Sequence, residues 1–163
     1  MKSMRLVALL LVALSFGACS KSGGPIIPDI TGIVVDKGDR KMYLVSKNTV
    51  KKTYDISLGF APTGDKKVRG DGKTPEGTYI IDRKNPNSQF YLSLGINYPN
   101  VNDVAEARAL GQNAGGDIFI HGRSGTDWMT KRVWTAGCIA VKNDEIREIY
   151  QSVRVGTPIF IRP

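Results

Sequence analysis

The chain has 163 residues, 41% of them hydrophobic, and a formal charge of +8. That length, less a removable leader, builds one core and not two. Its single histidine and Cys138 supply two zinc ligands where three or four are needed, so no metal is expected, and no cofactor is expected either.

Taken in chain order, Lys2 and Arg5 precede the apolar run Leu6 to Leu14 and the small-residue stretch Gly17-Ala18-Cys19. A charged start, an apolar stretch and a small-residue cleavage site make an export signal over residues 1–18. The run is too short to span a bilayer, which takes ~20 residues. Gly17-Ala18-Cys19 resembles a bacterial lipobox, with Phe16 in place of the usual leucine. That resemblance implies that Cys19 is acylated and becomes the first mature residue, a stable anchor because each buried methylene adds ~0.8 kcal/mol. Ser20 in second place implies sorting to the outer membrane of a Gram-negative bacterium, with the mature protein facing the periplasm. Residues 19–30 then read as a lipid-anchored flexible tether, and residues 31–163 as the folded domain.

Removing Lys2 and Arg5 leaves 21 basic and 15 acidic residues. Ten basic and four acidic residues fall between Lys37 and Lys73. The export signal makes nucleic acid not the expected partner. A solvated basic face near anionic lipid or an anionic cell-wall polymer fits better.

Most of the domain reads as short strands. Ile33-Val34-Val35 and Met42 to Val45 flank the polar turn Asp36 to Lys41 as a hairpin. Thr49 to Leu58, Gly77 to Ile81, Phe90 to Leu94, Asp117 to Ile120 and Ile139 to Val141 follow as strands. Gly156 to Ile161 closes the chain as an edge or final strand, since Pro158 cannot donate to a central ladder. Two helices are expected. Asp103 caps Val104 to Leu110, with Gly111 ending it, and Asn143 caps a helix from Asp144 to about Val153 whose buried face is Ile146, Ile149, Tyr150 and Val153. The class is mainly β.

The chemistry concentrates at Ile118-Phe119-Ile120-His121-Gly122 and Thr135-Ala136-Gly137-Cys138-Ile139-Ala140. A thiolate is a strong nucleophile, and an imidazole suits the removal of its proton near neutral pH. The bland alternatives are a structural histidine, a buried cysteine acting as a small hydrophobe, and an ordinary tight turn. Against them, His121 ends a buried strand where a following loop can present it, and Cys138 follows small residues instead of sitting inside an apolar run. Gly122 lets the chain turn and frees its carbonyl to orient the imidazole. Successive N–H groups of the Thr135 to Cys138 turn can converge on one spot as an oxyanion hole. Trp128 and Trp134, between the two motifs, are either core or the wall of a substrate site. Gly70-Asp71-Gly72 is not a phosphate loop, because no helix follows it.

His-Gly, a gap, then Ser/Thr-x-Gly-Cys-Ile resembles the active-site signature of the L,D-transpeptidases, the YkuD-type catalytic domain. Asp71 to Tyr79 resembles that family's Thr-Pro-x-Gly strand start, and Gly116 to Gly122 its strand before the histidine; the likeness runs from about Ile33 to Ile161. It implies a β-sandwich of mixed sheets with one or two short helices. It implies Cys138 as nucleophile, His121 as base, Gly122 as its orienting carbonyl, the amides of Ala136, Gly137 and Cys138 as the oxyanion hole, and Thr135 in support. The implied reaction is attack on the L-to-D bond of a peptidoglycan tetrapeptide stem, with the acyl group passed to an amine or to water. Ala140 stands where many relatives have arginine. That departure resembles a divergent subgroup containing enzymes that reverse the chemistry, and leaves transfer and hydrolysis both open. A non-catalytic cell-wall-binding lipoprotein is the third alternative. Arg123, Lys131 and Arg132 are candidates to replace the missing charge and, with Trp128 and Trp134, to contact substrate.

Overall fold

The structure, a computed structural model, describes residues 25–123 and 133–163. The export signal, Cys19, Trp128, Lys131 and Arg132 lie outside the described residues.

The opening hairpin forms as its pattern predicts. β1 (Gly32–Asp36) and β2 (Lys41–Ser46) pair antiparallel, with Ile33 opposite Leu44 and Val35 opposite Met42. Those four side chains are all buried, because one face of a strand carries every second residue. β3 (Thr49–Asp55) pairs with β2 as the exposed edge, where Lys51 and Lys52 discourage further pairing.

The expected strand from Thr49 to Leu58 is broken in two. The chain leaves the sheet at Ile56 and Ser57 and re-forms as β4 (Leu58–Gly59). Ser57 pairs instead with Ala140, its N–H donating to the Ala140 carbonyl and its carbonyl accepting from the Ala140 N–H, both at 2.8 Å. β5 (Gly77–Asn85) is longer than expected, and β6 (Ser93–Ile96) starts later. Tyr91, with φ +77°, and a tight bond from the Leu92 N–H to the Phe90 carbonyl keep Phe90 to Leu92 out of the ladder. β7 (Phe119–His121) likewise begins after Asp117, whose φ is +57°.

β8 (Val133–Thr135) pairs with β4, and β9 (Ile139–Ala140) runs parallel to β7. β10 (Pro158–Arg162) is the final strand but not an edge; it lies between β1, to which it is parallel, and β5. Pro158 is tolerated because it is the strand's first residue.

The strand order is β3-β2-β1-β10-β5-β6-β7-β9, with β4-β8 as a separate pair. β5 joins the halves: Gly77 to Ile80 pair with β10, a register shift falls between Ile81 and Arg83, and the rest pairs with β6. The result is the expected mainly β fold, a curled mixed sheet with a small second sheet and two helices. One core, including Val35, Leu44, Ile81, Leu94, Ile120 and Ile159, runs through it.

Both helices are present with shifted caps. α1 (Val101–Ala109) is capped by Asn100, whose side chain accepts from the N–H groups of Asn102 and Asp103. Asp103 is the third helical residue and accepts in return from the Asn100 N–H at 2.7 Å. α2 (Asn143–Ser152) starts after Lys142, whose N–H donates to Glu145 at 2.8 Å. Asn143 is not the cap because its carboxamide oxygen accepts from the Arg123 N–H at 2.7 Å. Ile146, Ile149 and Val153 are buried as expected, and the half-buried Tyr150 packs against them.

Candidate active site

The two motifs meet because β7 and β9 are neighbours in parallel register, with Ile120 opposite Ile139 and His121 opposite Ala140. Cys138, half-buried, directly precedes β9. Both side chains line one groove of about 480 Å³, shared with Phe90, Ser93, Asp117 and Phe119. His121 is 2% exposed. Its Nδ1 lies 2.6 Å from the Gly122 carbonyl oxygen. A carbonyl only accepts, so Nδ1 carries the proton and Nε2 is left with its lone pair. Phe90 stacks on the imidazole at 4.5 Å between centroids, and Trp134 meets it edge-on at 5.6 Å.

Burial sets the protonation states. It pushes the His121 pKa down, the Gly122 hydrogen bond opposes that, and the Arg123 charge adds to it. Burial pushes the Cys138 thiol up; the Phe119 amide and Lys66 favour the thiolate, and Asp117 opposes it. The Cys138 thiol also lies 3.5 Å from the Asp117 carbonyl, to which it can donate. The groove therefore holds a neutral imidazole and a neutral thiol at pH 7.

Hydrogen bonds from elsewhere in the chain fix the turn before Cys138. Thr135 Oγ1 donates to the Cys138 carbonyl at 2.7 Å and accepts from the Gly137 N–H at 3.2 Å. Thr74, fully buried, donates from Oγ1 to the Gly137 carbonyl at 2.8 Å. In a trans peptide the carbonyl and the following N–H point in opposite directions. Holding the Gly137 carbonyl against Thr74 therefore turns the Cys138 N–H the other way. Gly137 is required twice: its φ is +132°, and a Cβ there would lie 2.5 Å from the Lys73 carbonyl oxygen.

Residues 30–161 match the model of the YkuD family, the L,D-transpeptidase catalytic domain. The chain belongs to the L,D-transpeptidase family. It is 36% identical over 113 residues to the L,D-transpeptidase-family protein YafK of Escherichia coli (strain K12), covering 68% of this chain and 40% of that one. It is 27% identical over 139 residues to YqjB of Bacillus subtilis (strain 168), covering 83% and 73%. Among solved structures it resembles the helical cell shape determining protein Pgp2 from Campylobacter jejuni, with a TM-score of 0.65 and 26% identity over 90% of this chain and 52% of that one. The L,D-transpeptidase from Mycobacterium smegmatis, at 16% identity and a TM-score of 0.55, shares the fold over 83% of this chain and 59% of that one.

Within this L,D-transpeptidase domain, the structure brings His121, Gly122, Thr135, Ala136, Gly137 and Cys138 together. It adds to one reading and revises two. Gly122 is glycine because a Cβ would lie 2.6 Å from Asn143 Oδ1 and 2.8 Å from the Phe90 carbonyl oxygen, a crowding not legible in the sequence. The Gly137 N–H is engaged by Thr135, so of the three amides expected to hold an oxyanion it is already committed. Arg123 does not reach the groove: it is buried, with Nε donating to the Val141 carbonyl and Nη2 to Ser57 Oγ. It braces the strand that carries Ala140, itself fully buried. Trp134 backs the imidazole, and its Nε1 has no hydrogen-bond partner among the described residues. Lys131, Arg132 and Trp128 lie outside the described residues.

Sequence reasoning missed Phe90, Thr74 and Asn143. Phe90 was legible only as a strand residue. Thr74 sat inside a quoted motif, but a contact across 63 residues of sequence leaves no local signal.

Proposed function

We propose that this protein is a cysteine acyltransferase acting on the tetrapeptide stems of peptidoglycan. The observation that carries this is the pairing of a tautomer-fixed His121 with Cys138 in one groove. Cys138 Sγ attacks the carbonyl carbon of the L-to-D bond while its proton passes to His121 Nε2. The oxyanion is held by the N–H groups of Ala136 and Cys138. Collapse breaks the C–N bond, and the imidazolium returns the proton to the departing amine. An incoming amine or water, deprotonated by the same Nε2, then attacks the thioester and restores the thiol. Gly122 supports the cycle by stabilising the Nδ1–H tautomer throughout.

A second reading, hydrolysis, is favoured by Ala140. Its small, buried side chain opposite His121 brings no charge to the place where many relatives have an arginine. Acceptor placement depends on such a charge more than thiol activation does. Purified protein supplied with donor stems, with and without acceptor stems, distinguishes the two by mass spectrometry. Cleaved tripeptide as the main product supports hydrolysis, and cross-linked dimer supports transfer. Unchanged stems would refute both.

The export signal and lipobox-like Cys19 lead us to place the enzyme in the periplasm, anchored by lipid to the outer membrane. The native protein should fractionate with membranes and begin at a modified Cys19. Recovery from the cytosol with Met1 intact would refute this.

A further inference from the structure

The basic residues between Lys37 and Lys73 do not form one free face. Lys37, Lys41, Lys52, Lys66 and Lys67 pair with Glu76, Asp55, Glu148, Asp71 and Asp65 respectively. Lys47 and Lys51 are exposed, and among the described residues they make no ion pair. They meet Arg154, exposed and equally without an ion pair among the described residues, around a cleft of about 710 Å³. Asp29 is the one acid among the residues that line it, so three cations stand against one carboxylate. Ile26, 66% exposed, lies in the same lining.

Backbone bonds fix the cleft to the place where the chain enters the domain. The Ile27 N–H donates to Ser152 Oγ at 2.8 Å, and Ser152 Oγ donates to the Glu148 carbonyl at 2.7 Å. The Thr31 N–H donates to the Val45 carbonyl at 2.8 Å, and the Lys47 N–H donates to Thr31 Oγ1 at 2.6 Å. Eight residue steps separate Ile27 from Cys19, at most about 29 Å of chain. An anchor at Cys19 therefore keeps the cleft within that reach of a bilayer. α2 runs from Asn143, whose carboxamide oxygen accepts from the Arg123 N–H just after His121 and Gly122, to Ser152 at the cleft. Its 10 residues span about 15 Å, so the catalytic histidine and the cleft lie at opposite ends of the helix.

We infer that this cleft is a docking face for the anionic headgroups of the bilayer that holds Cys19. The inference rests on the lipid-anchor reading above. Lipid phosphates supply the negative charge that the protein does not bring to Lys47, Lys51 and Arg154, and Ile26 enters the boundary between headgroups and acyl chains. The anchor sets the local concentration, so a weak contact of three cations is enough to hold the domain in one orientation. Docked in this way, the domain keeps the Cys138 groove at the end of α2 away from the membrane, facing the cell wall.

The test adds the native, lipidated protein to vesicles of phosphatidylcholine with or without phosphatidylglycerol and follows lysine acetylation by mass spectrometry. Lys47 and Lys51 should react about fivefold more slowly on the anionic vesicles. Lys142, whose side chain is 57% exposed at the other end of α2, should react equally on both. Salt at ~1 M, which shortens the screening length to ~3 Å, should abolish the difference. The double variant Lys51→Gln, Arg154→Gln should return Lys47 to its rate on phosphatidylcholine while the protein stays vesicle-bound through its lipid. Equal reactivity of Lys47 and Lys51 on both vesicles, with the protein bound to each, would overturn the docking face and leave the anchor intact. Protection of these lysines by peptidoglycan sacculi and not by anionic vesicles would overturn it in favour of a wall polymer. Failure to bind either vesicle would overturn the anchor and this inference with it.

Discussion

The hairpin half of the sheet and the catalytic half are built by different rules. In β1, β2 and β10 buried apolar side chains alternate with half-buried or exposed positions, and the register follows from the buried set. The catalytic half uses strands of two to four residues, β6, β7 and β9, with β6 buried at every position. Its backbones approach too closely for side chains: a Cβ would lie 2.0 Å from the Gly72 carbonyl oxygen at Gly59, 2.5 Å from the Lys73 carbonyl oxygen at Gly137 and 2.8 Å from the Phe90 carbonyl oxygen at Gly122. Packing fixes the first half. Glycines and side-chain bonds from Thr74, Thr135 and Asn143 fix the second. A reactive turn of small residues keeps its shape because distant side chains hold its carbonyls.

Substitutions in the two halves should therefore fail differently, and the dyad should fail most. Cys138→Ala and His121→Ala should each lower kcat/KM by ~10³-fold or more with folding intact, and the double variant should be no worse than either. Additive losses in steady-state kinetics would show that the two side chains do not act as one unit. Thr74→Val removes the donor to the Gly137 carbonyl and keeps the shape. It should lower kcat by ~10- to 100-fold with little change in KM, because it misaims an amide without removing it. Thr74→Ser should recover most of the rate. Equal losses in both would mean that packing, and not the hydrogen bond, is what Thr74 supplies.

The pH dependence follows from the buried pair. The active form has neutral His121, whose pKa is depressed by burial, so kcat/KM should rise with pH and level off below the usual histidine value of about 6.5. Thiolate formation on free enzyme, read by the alkylation rate, should titrate above the ordinary cysteine value of about 8.5. A low thiol pKa coupled to a high histidine pKa would indicate a resting ion pair instead. The smallest expected effect is on stability. Gly122→Ala should cost ~1–3 kcal/mol by overpacking, whereas Gly38→Ala, whose Cβ would find its nearest neighbour at 3.5 Å, should stay within ~0.5 kcal/mol. Denaturant melts of the two variants check the contrast.

The same division explains what could be read from the chain. The hairpin, α2 with its Ile146, Ile149 and Val153 face, and the pairing of His121 with Cys138 all rest on local patterns. The place of β10 could not be read, because Pro158 looks unsuited to a central strand until its position as first residue is known. The break at Ser57 depends on Ala140, 83 positions away, and Asn143 was read as a helix cap although its side chain is used by Arg123. Each miss has the same cause: a tertiary bond captured a residue whose local preference pointed elsewhere. Arg123, read as a surface charge for substrate, is buried for that reason.

The central claim is that Cys138 carries the acyl group, and intact-mass analysis of protein quenched during turnover of a tetrapeptide stem tests it most directly. Wild type should gain the mass of the acyl fragment on Cys138, and His121→Ala and Cys138→Ala should gain none. Stem cleavage without any adduct, or cleavage that persists in Cys138→Ala, would contradict it.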